Sequence, residues 1–143
     1  MSTHRKMGVI SNQFQGDYKK VLMVCSAGIL RSATAAHILA GAPWNLNTRN
    51  AGTASYALIP LTEELLQWAD EVVCMETDHR ILVLNKYMEW QLPARRVITL
   101  GIEDIYEYRN PTLVDLIIEK YDASQALDPI PFDINTTTKE QLC

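Results

Sequence analysis

The chain lacks three features that would each place it in a common class of protein. It has no apolar run long enough to cross a bilayer, so a membrane protein is not expected. No run of basic residues exceeds three and the net charge is -4, which argues against nucleic-acid binding. The three cysteines, Cys25, Cys74 and Cys143, are odd in number and lack metal-ligand spacing. We therefore predict no disulfide scaffold, no metal or cofactor, and no membrane or nucleic-acid partner.

The remaining composition is that of an ordinary globular domain. Hydrophobic residues make up 48% and charged residues 21% of the 143 residues, enough for one domain with one core. The first residues are polar and show no signal-peptide hydrophobic stretch, so we expect a cytoplasmic protein. The pattern divides the chain into a loose leader at 1–18, a domain at 19–121 and an irregular tail at 122–143.

Short apolar segments alternate with segments of helical pattern. The predicted strands cover 21–25, 47–51, 71–75 and 96–100. The predicted helices cover 32–40, a segment capped by Thr62, a segment from a cap at Asp78 to about 87, and a last helix that starts at Asn110-Pro111. This alternation predicts an α/β fold, a doubly wound four-stranded parallel sheet with helices on both faces.

The segment CSAGILRS, at 25–32, lies between the first strand and the first helix. In such a loop successive backbone N–H groups can point inward, and the helix that follows adds its positive end, so that the loop forms a cradle for a phosphate. The same field favours the thiolate form of a cysteine, which is the nucleophile. We predict that Cys25 is the nucleophile of a phosphoryl-transfer reaction.

The other residues of this loop are assigned to substrate binding. Arg31, six residues after the cysteine, would bind two phosphoryl oxygens through its planar fork, which Lys cannot reproduce. Ser32 would donate a hydrogen bond to the sulfur. The predicted cradle is completed by Ser26, Ala27, Gly28, Ile29 and Leu30. The alternative interpretation is a buried structural thiol beside an ordinary surface cation.

At these residues the chain resembles the low-molecular-weight protein tyrosine phosphatases, whose loop is Cys, five residues, Arg, Ser. Further similarity lies in the segments Asn50-Ala-Gly-Thr53, Trp68-Ala-Asp70, Val72-Val-Cys-Met-Glu76 and Ile102-Glu-Asp-Ile-Tyr106. The resemblance covers about residues 20–121 in the same order. It implies the doubly wound fold of that family and its two-step mechanism through phosphocysteine.

The loop departs from the pattern of that family at three positions. Most members carry Gly-Asn in the loop and a second Cys before the Arg, where this chain has Ala27, Gly28 and Leu30. The Asn helps to fix the shape of the cradle, and the sequence does not identify a replacement for it. Leu30 removes a thiol that could form a disulfide with an oxidised nucleophile. In the segment 102–106, which is similar to the loop that carries the catalytic acid of the family, Ile105 stands where Pro is usual.

Cleavage of a phosphate ester of tyrosine needs a proton donor, because the leaving phenol has a pKa of about 10. Asp104 follows the fourth predicted strand, at the sheet edge where the cysteine loop lies, and it matches the acid of the family. Asp128, before Pro129, is a second candidate. Tyr106 and Tyr56 are candidates for contact with an aromatic substrate. The histidines His37 and His79 are interpreted as surface or capping residues.

These residues together predict a phosphomonoester hydrolase of the protein tyrosine phosphatase type. Its expected partners are a phosphotyrosine-containing protein or a small aryl phosphate. Two alternatives share a reactive cysteine after a strand. A phosphocysteine carrier resembling the IIB subunits of the sugar phosphotransferase system would not need Arg31 and Asp104, and an arsenate reductase would need further cysteines for its redox relay.

Overall fold

The strands of the protein form a parallel four-stranded sheet. The computed structural model describes residues 18–28 and 30–126. The strands are β1 (Lys20–Cys25), β2 (Asn47–Gly52), β3 (Glu71–Cys74) and β4 (Arg96–Thr99), in the order β2-β1-β3-β4. The helices are α1 (Arg31–Leu39), α2 (Glu63–Trp68), α3 (Thr77–Glu89) and α4 (Pro111–Ala126). The predicted α/β class and parallel sheet are confirmed.

Alternate residues of β1 face opposite sides of the sheet, as the two-residue period of a strand requires. Val21 and Met23 belong to a core cluster that is completed by residues of α1 and α4. Leu22 and Val24 belong to a second cluster with residues of α2 and α3. Since both faces are covered by helices, the strand reads as a continuous apolar run rather than an alternating one. The sheet is doubly wound, as predicted.

The strand order places the end of β1 at the centre of the molecule. After β1 the chain forms α1 and returns as β2 on one side, and after β2 it crosses over to β3 on the other side of β1. Connections therefore leave β1 and β3 towards opposite faces of the sheet. In open α/β sheets this switch point, at the carboxyl ends of the strands, is where ligands bind.

Two helix boundaries differ from those predicted. Helix α3 begins at Thr77 with Glu76 as its N-cap, so the cap expected at Asp78 is wrong. Helix α4 continues to Ala126, so residues 122–126, predicted to belong to the irregular tail, are helical. The cap at Thr62 is confirmed, because its side chain accepts the N–H of Leu65. Residues 1–17 of the predicted leader and 127–143 of the predicted tail lie outside the described residues.

Within the described ranges, none of the helices is both long and apolar enough to cross a membrane. Helix α4, the longest, is 16 residues, and it buries only one side, through Leu113, Ile117 and Tyr121. Its other residues are partly or fully exposed, as expected of a helix that covers one face of a sheet.

The amino end of the sheet is held by a carboxylate that has no exposed surface. Glu71, the first residue of β3, accepts hydrogen bonds from Arg96 Nε at 2.9 Å and Tyr121 OH at 3.0 Å. Lys19 Nζ lies 3.0 Å from the same carboxylate, and Gln125 Nε2 donates to it at 3.1 Å. Burial is the main cause that raises the pKa of Tyr121, and the negative charge of Glu71 raises it further. Glu71 thus joins β3 to β4 and to the last turns of α4.

Glu71→Gln should lower the free energy of unfolding by about 2–3 kcal/mol, because it leaves Arg96 and Lys19 beside a neutral amide. Urea denaturation of both proteins measures the difference. The control is Glu89→Gln, which removes an exposed carboxylate 3.3 Å from Lys86 and should change stability by less than about 0.5 kcal/mol. Equal losses in the two variants would show that Glu71 does not hold this end of the sheet.

Candidate active site

The loop that follows β1 surrounds the sulfur of Cys25 with hydrogen-bond donors. Cys25 is 2% exposed. The N–H of Gly28 donates to its Sγ at 3.2 Å, and the Oγ of Ser32 lies 3.1 Å from the same sulfur. When Cys25 is a thiolate, the hydroxyl of Ser32 is the donor of that contact. The loop therefore stabilises negative charge on the sulfur from two sides. Ile29, one of the predicted cradle residues, lies outside the described residues.

The carbonyl groups of this loop point outward, to the neighbouring connection after β2. Thr53 N–H donates to the carbonyl of Cys25 at 2.9 Å, and Ala54 N–H donates to that of Ser26 at 2.8 Å. In a trans peptide the carbonyl and the following N–H point in opposite directions. The N–H groups of Ser26 and Ala27 are therefore directed away from the β2 connection. This is the orientation that an anion cradle needs.

The shape of the loop is fixed by an amide that comes from β2. Asn50, which is fully buried, donates from Nδ2 to the carbonyl of Gly28 at 2.6 Å. Gly28 has φ +74° and sits so close to β2 that a Cβ would lie 2.7 Å from Gly52 N. An Asn at Gly28 itself would not fit this approach. The amide missing from the loop is thus supplied by a residue of the neighbouring strand.

Arg31 is not a surface cation, since it is only 1% exposed. Its Nη1 donates to the Oε1 of Glu76 at 2.6 Å and to the carbonyl of Ile102 at 2.7 Å. These partners follow β3 and β4, so one guanidinium nitrogen joins three connections at the carboxyl end of the sheet. The opposite edge of the guanidinium, formed by Nε and Nη2, is not part of this anchor.

Asp104 lies at the same edge of the sheet, as the sequence predicted. Its Oδ1 is 3.7 Å from the Nε of Arg31, and 59% of its side chain is exposed. Tyr106 is half-buried and packs against the core cluster on the α1 side of the sheet. Tyr56 is 76% exposed in the connection after β2. The second candidate acid, Asp128, lies outside the described residues.

Besides Asn50, two residues of this site were not identified as functional from the sequence. Glu76 anchors Arg31, and its position directly after β3, at the same edge as Cys25, was the available signal. His79 is 1% exposed and lies 2.9 Å from Ser26 Oγ through its Nε2. It was expected to be a surface or capping residue, and the first of these is wrong. No local sequence pattern predicts a contact between the cysteine loop and helix α3, which are far apart in the chain.

Among the described residues, Glu76, Asp78 and His79 form a group with the types and proximity of metal ligands. Both ring nitrogens of His79 are engaged by Glu76 N and Ser26 Oγ, and the carboxylate of Glu76 pairs with Arg31. A metal would have to displace these contacts. The group is accordingly interpreted as part of the hydrogen-bonded frame of the site.

Cys74 lies on the other side of the sheet from the nucleophile candidate. It belongs to the cluster with α2 and α3, whereas Cys25 belongs to the cluster with α1 and α4. Burial raises the pKa of the Cys74 thiol. Cys74 is therefore neither reactive nor placed to form a disulfide with Cys25.

Comparison with known proteins identifies the fold. No family model and no curated protein matches the chain. The low molecular weight protein tyrosine phosphatase SP-PTP of Streptococcus pyogenes has a similar structure, with a TM-score of 0.57 and 16% identity over 78% of this chain and 95% of that one. A mutant of the arginine phosphatase YwlE with a phosphorylated active-site serine gives a TM-score of 0.54 and 21% identity, over 77% of this chain and 97% of that one.

A third structure with this fold has a different activity. The thioredoxin-dependent arsenate reductase of Corynebacterium glutamicum has a TM-score of 0.51 and 15% identity, and the match covers 76% of this chain and 61% of that one. The fold is thus that of the low-molecular-weight phosphatases, and it is shared by enzymes for different substrates. The fold alone therefore does not identify a substrate.

Gly28→Ala should reduce the free energy of unfolding by about 2–4 kcal/mol, because the new Cβ would meet the backbone of β2 at 2.7 Å and φ is +74°. Gly101→Ala is a matched control, since Gly101 has φ +73° with no atom within 4 Å of a Cβ. It should lose only about 1 kcal/mol. Chemical denaturation of the two variants separates strain from crowding. Similar losses would contradict the close approach of the loop to β2.

Proposed function

We propose that the protein is a phosphomonoester hydrolase that acts through a phosphocysteine intermediate on Cys25. The observation that carries this proposal is the placement of a buried, anchored guanidinium and two hydrogen-bonding groups at the cysteine sulfur within one eight-residue loop. The sulfur has contacts with Gly28 N and Ser32 Oγ, and Arg31 is held by Glu76. A structural cysteine beside a surface arginine would need none of these contacts.

Substrate binding uses the groups of the loop that face away from β2. The N–H groups of Ser26 and Ala27 donate to phosphoryl oxygens, and the Nε and Nη2 edge of Arg31 binds two of them. Because Nη1 is already fixed by Glu76 and Ile102, the guanidinium loses little conformational entropy when it binds. The positive end of α1 adds to the field that favours the dianion.

In the first chemical step the thiolate of Cys25 attacks phosphorus and forms an S–P bond as the P–O bond to the leaving group breaks. Asp104, as a carboxylic acid, gives its proton to the departing oxygen. In the second step the Asp104 carboxylate takes a proton from water, and the water oxygen attacks phosphorus. The S–P bond breaks and inorganic phosphate forms, while Ser32 and Gly28 stabilise the departing thiolate.

The proposed substrates are phosphotyrosine in proteins and small aryl phosphates, handled in the cytoplasm. A general acid that is 59% exposed can reach the ester oxygen of a substrate that enters from solvent. The exposed ring of Tyr56 and the half-buried ring of Tyr106 are available to contact an aromatic leaving group. YwlE, with the same fold, is an arginine phosphatase, so the rate of phosphotyrosine hydrolysis should be compared with that of phosphoarginine.

Neither alternative activity gains support from a specific contact. An arsenate reductase needs resolving thiols, and Cys74 lies across the sheet from Cys25. A phosphocysteine carrier has to preserve its phosphoryl group, whereas we assign Asp104, whose Oδ1 is 3.7 Å from Arg31 Nε, to the activation of water. Both alternatives predict no steady turnover of an aryl phosphate.

The metal-free hydrolysis of p-nitrophenyl phosphate, followed by absorbance, tests this function. Cys25→Ser should reduce turnover by more than about a hundredfold, because a serine hydroxyl is a far weaker nucleophile at neutral pH. Cys74→Ala is the matched control and should keep most of the activity, since that thiol is buried away from the loop. A Cys25→Ser protein with a hundredth or more of the wild-type rate would remove Cys25 from the mechanism.

Asp104→Asn should slow cleavage of phosphotyrosine much more than cleavage of p-nitrophenyl phosphate, because nitrophenolate leaves with little protonation. The fall in rate at high pH should also disappear, since it reports loss of the proton of the acid. Phosphocysteine formation should be measured by rapid mixing, because steady-state rates hide the difference between the substrates if hydrolysis of the intermediate limits turnover. Glu103→Gln is the neighbouring control. Equal slowing of both substrates would exclude Asp104 as the proton donor.

A further inference from the structure

The ring of His79 connects helix α3 to the cysteine loop. It lies in the first turn of α3 and is 1% exposed. Its Nε2 is 2.9 Å from the Oγ of Ser26, the residue after Cys25. Its Nδ1 accepts the backbone N–H of Glu76 at 3.1 Å. A single imidazole therefore contacts the cysteine loop and the cap of the helix that carries it.

These two contacts define the protonation state of the ring. Nδ1 accepts a hydrogen bond from a backbone N–H, so it carries no proton. The ring is then neutral with its proton on Nε2, and Nε2–H donates to the hydroxyl oxygen of Ser26. A doubly protonated ring would place an N–H against the N–H of Glu76, so the arrangement exists only with His79 neutral.

The contact with Ser26 completes a set of supports around the loop. The carbonyl of Ser26 accepts the N–H of Ala54, from the β2 side of the loop. Its side chain is held by His79, from the β3 side. The cap residue that donates to His79, Glu76, also anchors Arg31 through its carboxylate. The start of α3 thus contacts the two parts of the site that bind the phosphoryl group, the loop and the arginine.

We propose that His79 is a positioning residue for the phosphatase reaction: the neutral ring holds Ser26 and the start of the cysteine loop in the binding geometry. The expected effect on the reaction rate rests on the proposed function, whereas the effect on the loop itself does not. The ring acts through its contact with Ser26. Protonation of the ring releases Ser26 and loosens the loop, so the hold is present at neutral pH and lost in acid.

The charges around the ring fix the direction of this dependence. Burial is the main cause that lowers the pKa of His79 below 6.5, and Arg31 also lowers it. Asp78 and Glu76 at the start of α3, and Asp104 from the connection after β4, act in the opposite direction. The ring is neutral above its lowered pKa. The contact with Ser26 is therefore complete near pH 7 and is lost as the pH falls through that value.

The test uses His79→Asn. The amide oxygen of Asn can accept the N–H of Glu76 in place of Nδ1, but the Asn side chain is too short to reach Ser26. The ratio of wild-type to variant kcat/KM is measured from pH 7.5 to pH 5 with p-nitrophenyl phosphate. Titration of the substrate is common to both proteins and cancels in the ratio. We expect a ratio of about five at pH 7.5, near the net effect of one hydrogen bond, falling to one in acid.

Ser26→Ala removes the same hydrogen bond from its other end. It should reproduce the loss seen in His79→Asn, and the double variant should lose no more than either single variant. The control is His37→Asn, the same substitution in α1, where the neighbouring charge is Arg109. Its ratio to wild type should not vary with pH. A flat ratio for His79→Asn, or multiplying losses in the double variant, would overturn the proposal.

Hydrogen exchange at the amides of Ser26, Ala27 and Gly28, measured by NMR, tests the same hold without catalysis. At pH 7.5 these amides should exchange several-fold faster in His79→Asn than in wild type, and equally fast in acid. If the wild type hydrolyses no phosphate ester but its amides show this difference, the proposed function fails and the positioning role stands. If the variant exchanges like wild type at pH 7.5, the positioning role fails whatever the enzyme does.

Discussion

The structure of the site depends on the burial of one guanidinium. The guanidinium of Arg31 is only 1% exposed, so its burial is stable only with partners that compensate for the lost water. Glu76 and the carbonyl of Ile102 supply them, from the connections after β3 and β4. Removing Glu76 would leave the guanidinium with one carboxylate, that of Asp104, which is 59% exposed and 3.7 Å from Nε. The order of these connections around Cys25 is therefore linked to the stability of the fold itself.

Much of the fold could be predicted because its signals are local. The four strands are predicted within one residue at each end, from apolar runs at β1, β3 and β4 and from the alternating pattern at the polar β2. Thr62 is a cap of ordinary type. The errors arose where tertiary contacts override local preference. An Asp is a better cap than a Glu, yet α3 starts at Glu76 because its carboxylate also pairs with Arg31. Helix α4 continues past Tyr121 because Gln125 reaches Glu71 on the sheet.

The site shows the same division between local and distant information. The spacing of Cys25 and Arg31 lies within one loop, so the sequence could identify both. Asn50 and His79 act on that loop from 22 and 53 residues away along the chain. No pattern in a single sequence connects residues so far apart, and an alignment would be needed to see them vary together. The proximity of residues within one loop could be predicted, whereas the distant contacts that hold the loop could not.

That frame explains how the loop keeps a fixed shape although Gly28 has no side chain that could support it. Charge stabilisation is effective when the donors are already oriented, since no reorganisation is then needed as the charge moves from phosphate to thiolate. Asn50 fixes Gly28 with an amide that never titrates, whereas His79 fixes Ser26 with a ring that does. The two supports lie on opposite sides of the loop. Acid therefore releases the side next to Cys25 and α3, while the side against β2 keeps its shape.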